Sequence, residues 1–80
     1  MFSVYVLKSQ KDGNFYIGYS SNLSRRIERH NNGYVKATKH RRPLELFGYK
    51  AFKTKQEANK VEHWLKKQKD IKAIFRFLGK

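Results

Sequence analysis

Residues 2–20, FSVYVLKSQKDGNFYIGYS, decide the fold. Phe2, Val4 and Val6 alternate with Ser3, Tyr5 and Leu7. After Lys11-Asp12-Gly13-Asn14, Phe15, Ile17 and Tyr19 alternate with Tyr16 and Gly18. Two runs of period two around an Asp-Gly turn signal predict an antiparallel hairpin. With Asp12 and Gly13 as a two-residue turn, Leu7 opposes Gly18 and Ser9 opposes Tyr16. Opposed residues share a face of the sheet. Tyr5, Leu7, Tyr16 and Gly18 then lie on one face, and Val4, Val6, Phe15 and Ile17 on the other.

Working outward, Ser21 or Asn22 caps a helix that runs to about Asn32, where Asn31-Asn32-Gly33 stops it. Leu23 and Ile27 form its apolar stripe. Arg26 and His30 fall within about 60° of Leu23, whereas Arg25, Glu28 and Arg29 point away. Tyr34 to Arg42 is polar and basic without a period, and reads as a loop. Pro43 opens a third strand through about Phe52, with Leu44, Leu46 and Phe47 as its apolar content. Thr54-Lys55-Gln56-Glu57 is a capping box for a helix carrying Ala58, Val61 and Leu65, with its end near Gln68 or Lys69. Trp64 lies near the edge of that stripe and is expected to pack. Asp70 starts a last helix with Ile71, Ile74, Phe75 and Leu78 at helical spacing. The expected class is α+β: one domain over residues 1–80, a small three-stranded antiparallel sheet flanked by helices, in the order β-β-α-β-α-α.

Eighty residues bury only about 60% of the surface of the unfolded chain, and there are no cysteines to add a disulfide or a thiolate metal site. Nineteen Lys and Arg against six Asp and Glu give a net charge of +13. Self-repulsion of that size is relieved by an anionic partner, and the interleaving of aromatics with positive charge points to a folded nucleic-acid surface. No stretch reaches the roughly 18 apolar residues of a spanning helix and no signal-peptide layout is present, so a membrane role is not expected and the cytoplasm is the default location.

Five residues draw attention together: Tyr5, Tyr16, Arg26, His30 and Glu62. Each has an ordinary structural explanation. Tyrosines favour strands, Arg26 and His30 could form a solvated basic face, and Glu62 could pair with Lys66 at i,i+4. Their combination is more informative. The register puts both tyrosines on one face, Arg26 and His30 border the apolar stripe, and Glu62 flanks a buried stripe in a chain poor in carboxylates. Such a carboxylate suits a hard cation.

The segments SVYVLKS, NFYIGYS and NLSRRIERHNNG resemble the GIY-YIG endonuclease family, and QEANKVEHWLKKQK is similar to that family's glutamate-bearing helix. The resemblance is to small stand-alone bacterial members, related to the N-terminal nuclease domain of the repair endonuclease UvrC. Tyr16-Ile17-Gly18 keeps the second motif, while Ser3-Val4-Tyr5 keeps only the tyrosine of the first. Some relatives carry a lysine near the motif where this chain has Phe15 and Tyr19.

That resemblance implies a metal-dependent endonuclease acting on DNA, in repair or recombination, with one Mg²⁺ or Mn²⁺ held by Glu62. It implies phosphate binding by Arg26, proton abstraction from water by a tyrosinate (Tyr5 before Tyr16), and orientation or relay by His30. Tyrosine's reference pKa of about 10 makes nearby cations necessary for that role. Arg25, Arg29, Lys36, Lys39, Arg41 and Arg42 are the expected phosphate contacts. RNA remains an alternative ligand, the oligomeric state is open, and a protein partner for targeting is compatible with so short a chain. The alternative reading is a nucleic-acid-binding module that keeps the fold without useful turnover.

Overall fold

A computed structural model describes residues 1–68 and 70–80. The elements are β1 (Phe2–Ser9), β2 (Phe15–Ser20), α1 (Leu23–Asn31), β3 (Leu44–Phe52), α2 (Lys55–Lys67) and α3 (Ile71–Leu78), with one 3₁₀ turn at Lys39–Arg41. The order is the expected one, and the sheet runs β2-β1-β3 with both pairings antiparallel. Helix α2 ends at Lys67, before the expected Gln68. Lys69, the other expected end, lies outside the described residues. Among the described residues, no helix is long and apolar enough to cross a membrane.

The hairpin departs from the two-residue turn. Tyr5 opposes Gly18 and Leu7 opposes Tyr16, so the register is displaced by two residues from the expected one. Ser9 is the physical reason. Its hydroxyl accepts the backbone N–H groups of Lys11 and Asp12 at 3.1 Å each, and Asp12 Oδ1 accepts the Asn14 N–H at 2.9 Å. These side chains satisfy the backbone of a longer connection, with Gly13 at φ 73°. A slip by an even number of residues keeps every side chain on its own face. The expected division into two faces therefore survives the wrong turn.

Those faces build two cores. Tyr5, Leu7 and Leu44 are packed by Tyr16 and by Leu23 and Ile27 of α1. On the opposite side, Val6 meets Leu65 of α2 and Ile74 of α3, together with Phe15, Ile17, Phe47, Phe77 and Leu78. In the β1–β3 ladder Val6 opposes Gly48 but Leu7 opposes Leu46, which leaves Phe47 as the extra residue of a bulge. The Phe47 ring lies 4.9 Å from Phe15 and 5.6 Å from Phe75.

Helix boundaries follow their caps. Asn22 accepts the Arg25 N–H at 3.2 Å, Thr54 accepts that of Glu57 at 3.2 Å, and Asp70 that of Lys72 at 2.9 Å. Two expectations of packing fail at exposed positions. Trp64 is 53% exposed, because the inward line of α2 is set by Ala58, Glu62 and Leu65 and turns Trp64 outward. Ile71 is 47% exposed at the first position of α3, leaving Ile74 as that helix's buried anchor.

Gly18 is required by a close approach. A Cβ built there would lie 2.6 Å from the Tyr5 hydroxyl oxygen and 2.8 Å from its Cζ. Gly18→Ala is expected to destabilise the protein by about 1–3 kcal/mol, as overpacking does. Urea unfolding checks it, and an unchanged midpoint would contradict the packing described.

Candidate active site

Tyr5 sits at the middle of the central strand with no exposed surface, and the missing side chain of Gly18 makes room for its ring. Its hydroxyl lies 3.2 Å from Arg26 Nε and 2.9 Å from His30 Nε2. One turn of α1 separates Arg26 from His30, so a single helix face closes over the tyrosine. The expected grouping of these three residues is present. The His30 ring also meets Tyr16 edge-on at 5.1 Å, completing an aromatic cluster.

Proton positions follow from charge and burial. Burial raises the Tyr5 pKa, and the hydrogen bond and charge of Arg26 only partly oppose that. Burial, reinforced by the Arg26 charge, pushes His30 down to about 4. Both groups are therefore neutral at pH 7. Arg26 can only donate, so it uses a lone pair of the phenol oxygen. The phenol proton goes to His30 Nε2, because a buried hydroxyl left without an acceptor is costly. The imidazole proton then resides on Nδ1, which donates to Thr38 Oγ1 at 2.7 Å. A chain Arg26–Tyr5–His30–Thr38 results, buried from Tyr5 onward.

Glu62 is buried in α2, with 6% exposure. Leu65 of the same helix belongs to the core of the opposite face, yet Glu62 lines a cleft of about 640 Å³ with Tyr5, Tyr16, Gly18, Arg26 and Lys55. Helix α2 thus contributes side chains to both faces. The Glu62 oxygens lie 3.3 Å from Lys66 Nζ and 3.5 Å from His63 Nε2, both on exposed side chains. The Glu62–Lys66 pair at i,i+4 is present, and the carboxylate expected on the flank of the buried stripe is itself buried. No group of three or more His, Cys, Asp or Glu gathers among the described residues. One carboxylate facing a roomy cleft fits a hard cation that keeps most of its waters, and its two present partners are exposed side chains able to move aside.

The basic residues fall into separate places. Arg25, Arg26 and Arg29 line a cleft of about 460 Å³ with Ser20, Ser21 and Asn22. Ser20, Ser21 and Arg26 also line the Glu62 cleft, so the two adjoin. Lys39 and Arg42 line a different cleft with Lys11, Asn31, His40 and Pro43. Arg41 is occupied by Asp12 at 2.9 Å, and Arg42 donates to the Lys39 carbonyl at 2.8 Å. Lys36 is exposed and lines neither of these clefts.

Sequence reasoning missed two members. Thr38 is buried inside a stretch read as solvated loop, and nothing in its spacing from His30 marks it. Lys55 stands two turns before Glu62 on the same helix face, a signal that was present. It brings positive charge to the cleft that the strands, with Phe15 and Tyr19, do not supply.

Comparison with known proteins bears on this arrangement. Residues 1–72 match the model of the GIY-YIG catalytic domain. A UPF0213 protein of Staphylococcus saprophyticus is 44% identical over 75 residues, which covers 89% of this chain and 90% of that one. A UPF0213 protein of Bacillus pumilus is 43% identical over 72 residues, covering 84% and 72%. The solution NMR structure of the UPF0213 protein BH0048 from Bacillus halodurans matches with a TM-score of 0.56 at 36% identity, over 90% of this chain and 78% of that one.

The depressed His30 pKa makes stability depend on pH. The unfolded chain takes up a proton near pH 6.5, whereas the folded chain resists until about 4. Stability is complete above the upper value and falls as pH drops through the window, by up to about 3 kcal/mol. Asp12, held down to about 2 by Arg41, acts at lower pH still. Urea midpoints measured between about pH 7 and 4 should fall in wild type and flatten in His30→Gln. Parallel curves for the two proteins would contradict a neutral His30.

Proposed function

The chain belongs to the GIY-YIG family, and from that premise we propose that it is a metal-dependent endonuclease hydrolysing DNA phosphodiester bonds. The observation that carries the reading is the Tyr5 oxygen, bracketed by Arg26 and His30 in a cleft shared with Tyr16 and Glu62. A domain of this family is nuclease-like, and the side chains to which we assign phosphate binding and proton transfer lie together.

Arg26 and Lys55 would receive the scissile phosphate. A guanidinium drawn onto phosphate oxygens makes two charge-assisted hydrogen bonds and offsets the negative charge that grows during attack. Arg26 also donates to the Tyr5 hydroxyl, so its movement towards the phosphate would free a lone pair of the phenol oxygen. A water molecule beside the phosphate would then give its proton to the Tyr5 oxygen as its own oxygen bonds to phosphorus and the bond from phosphorus to the leaving oxygen breaks. Tyr5 passes its original proton to His30 Nε2, and Thr38 holds the imidazole through Nδ1–H. This route avoids a free tyrosinate, which burial opposes, and movement of the Arg26 charge towards the phosphate removes one of the two causes that keep His30 unprotonated. Tyr16, half-buried at the cleft wall, orients the water or the phosphate. A divalent Mg²⁺ or Mn²⁺ held by Glu62 would supply Lewis-acid stabilisation of the leaving oxygen.

The contacts available are mostly to phosphate. Such contacts position a nucleic acid without reading its sequence, so cleavage should show little sequence preference. A function in repair or recombination, with a protein partner choosing the site, accords with that. The second reading, binding without turnover, is favoured by one observation: the phenol of Tyr5 is fully buried, and that burial favours its protonated form.

Cleavage of plasmid and branched DNA with Mg²⁺ or Mn²⁺ tests the two. Wild type should cut, Glu62→Gln should bind and not cut, and Arg26→Ala should lose about 10²–10³-fold in rate. Salt-sensitive binding by all three proteins without cleavage would overturn the enzyme and leave the binding module.

A further inference from the structure

The outer face of α2 carries a feature that the catalytic cleft does not use. Trp64 is 53% exposed and forms one wall of a groove of about 500 Å³, lined also by Gln56, Asn59, Lys60, His63 and Lys67. Lys60, Trp64 and Lys67 stand at i, i+4 and i+7, so they make a single stripe along the helix. At 100° per residue Trp64 is turned about 160° from Glu62, away from the cleft.

Charge decides between occupants. The six lining residues include no carboxylate, and two lysines and a histidine surround the indole. A second copy on this face would set Lys60 and Lys67 against like charges, in chains that each carry +13. An anionic, flat ligand answers both requirements. Nucleotides combine phosphates for the lysines with a base whose face stacks on an aromatic ring. Bases within a closed duplex have no free face, so the nucleotide must be unpaired.

We propose that the Lys60–Trp64–Lys67 stripe binds an unpaired nucleotide of the substrate, with its base stacked on the Trp64 indole and the lysines on flanking phosphates. The inference rests on the substrate being nucleic acid, and it narrows that substrate to molecules with a single-stranded portion. It does not require catalysis.

Trp64 is the only tryptophan of the chain, so intrinsic fluorescence reports on this face alone. The wild-type protein, held in EDTA to prevent cutting, is titrated with a blunt duplex and with the same duplex bearing a single-stranded overhang. The overhang should quench the fluorescence well beyond the blunt duplex, whose terminal pairs are its only free base faces. By anisotropy, Trp64→Leu should bind the overhang DNA about ten-fold more weakly. Trp64→Phe should retain most of the affinity, and all three proteins should bind the blunt duplex equally. Thermal melts of the variants confirm folding.

Equal quenching by both DNAs, or unchanged overhang binding by Trp64→Leu, would overturn the proposal. So would sedimentation showing a DNA-free dimer that Trp64→Leu dissolves, which would assign the face to a second copy. Overhang-dependent quenching in a protein that cuts nothing would sustain this inference while ending the nuclease reading. Binding of neither DNA would end both.

Discussion

A phenol oxygen buried at the centre of the sheet organises this small protein. Tyr5 has no exposed surface, and its buried hydroxyl needs partners within the protein. Arg26 and His30 provide them from one face of α1, and Thr38 completes the chain from the connection that follows. Every one of those residues constrains another element. Gly18 must lack a side chain, α1 must lie over the Tyr5 face, and the stretch after α1 must fold back far enough to bury Thr38. Each bond contributes about 1 kcal/mol net, but removing one partner strands the rest in a low-dielectric interior. The same atoms therefore hold the fold and define the candidate site.

Around that centre the acidic residues are largely committed. Asp12 joins the hairpin turn to the 3₁₀ turn through Arg41. Asn22 apart, the helix caps use Thr54 with Glu57, and Asp70. Glu62 faces the cleft with Lys66 and His63 beside it. Little negative charge remains to screen the lysines and arginines from one another. Clefts lined by Arg25, Arg26 and Arg29 on one side, and by Lys39 and Arg42 on another, then present separate positive surfaces. Salt should weaken any polyanion bound across them, by a slope that counts the phosphates engaged.

Much of this was legible from residue order. The alternation in residues 2–20 specifies the hairpin and its two faces, and parity protected the faces when the turn proved longer than Asp12-Gly13. The caps at Asn22, Thr54 and Asp70 announced their helices. Tyr5, Tyr16, Arg26, His30 and Glu62 share one region because their local periods aim them there. What escaped reading depended on tertiary context. Thr38 is defined only by where an aperiodic connection returns. Ser9 sets the turn through bonds to backbone rather than through a recognisable dipeptide. Trp64 shows how an apolar stripe misleads: a buried carboxylate at Glu62 shifted the inward face of α2 and left the indole in water.

The order in which these side chains enter the chain has a consequence for synthesis. Tyr5, Arg26, His30 and Thr38 belong to the first half, while Lys55 and Glu62 arrive on α2. A ribosome-bound chain that has emerged only through β3 has Arg26, Tyr5 and His30 but lacks Lys55 and the buried carboxylate of Glu62. On the reading proposed above, such an intermediate could hold a nucleic acid without cutting it. Cleavage competence would then be acquired late, when α2 docks.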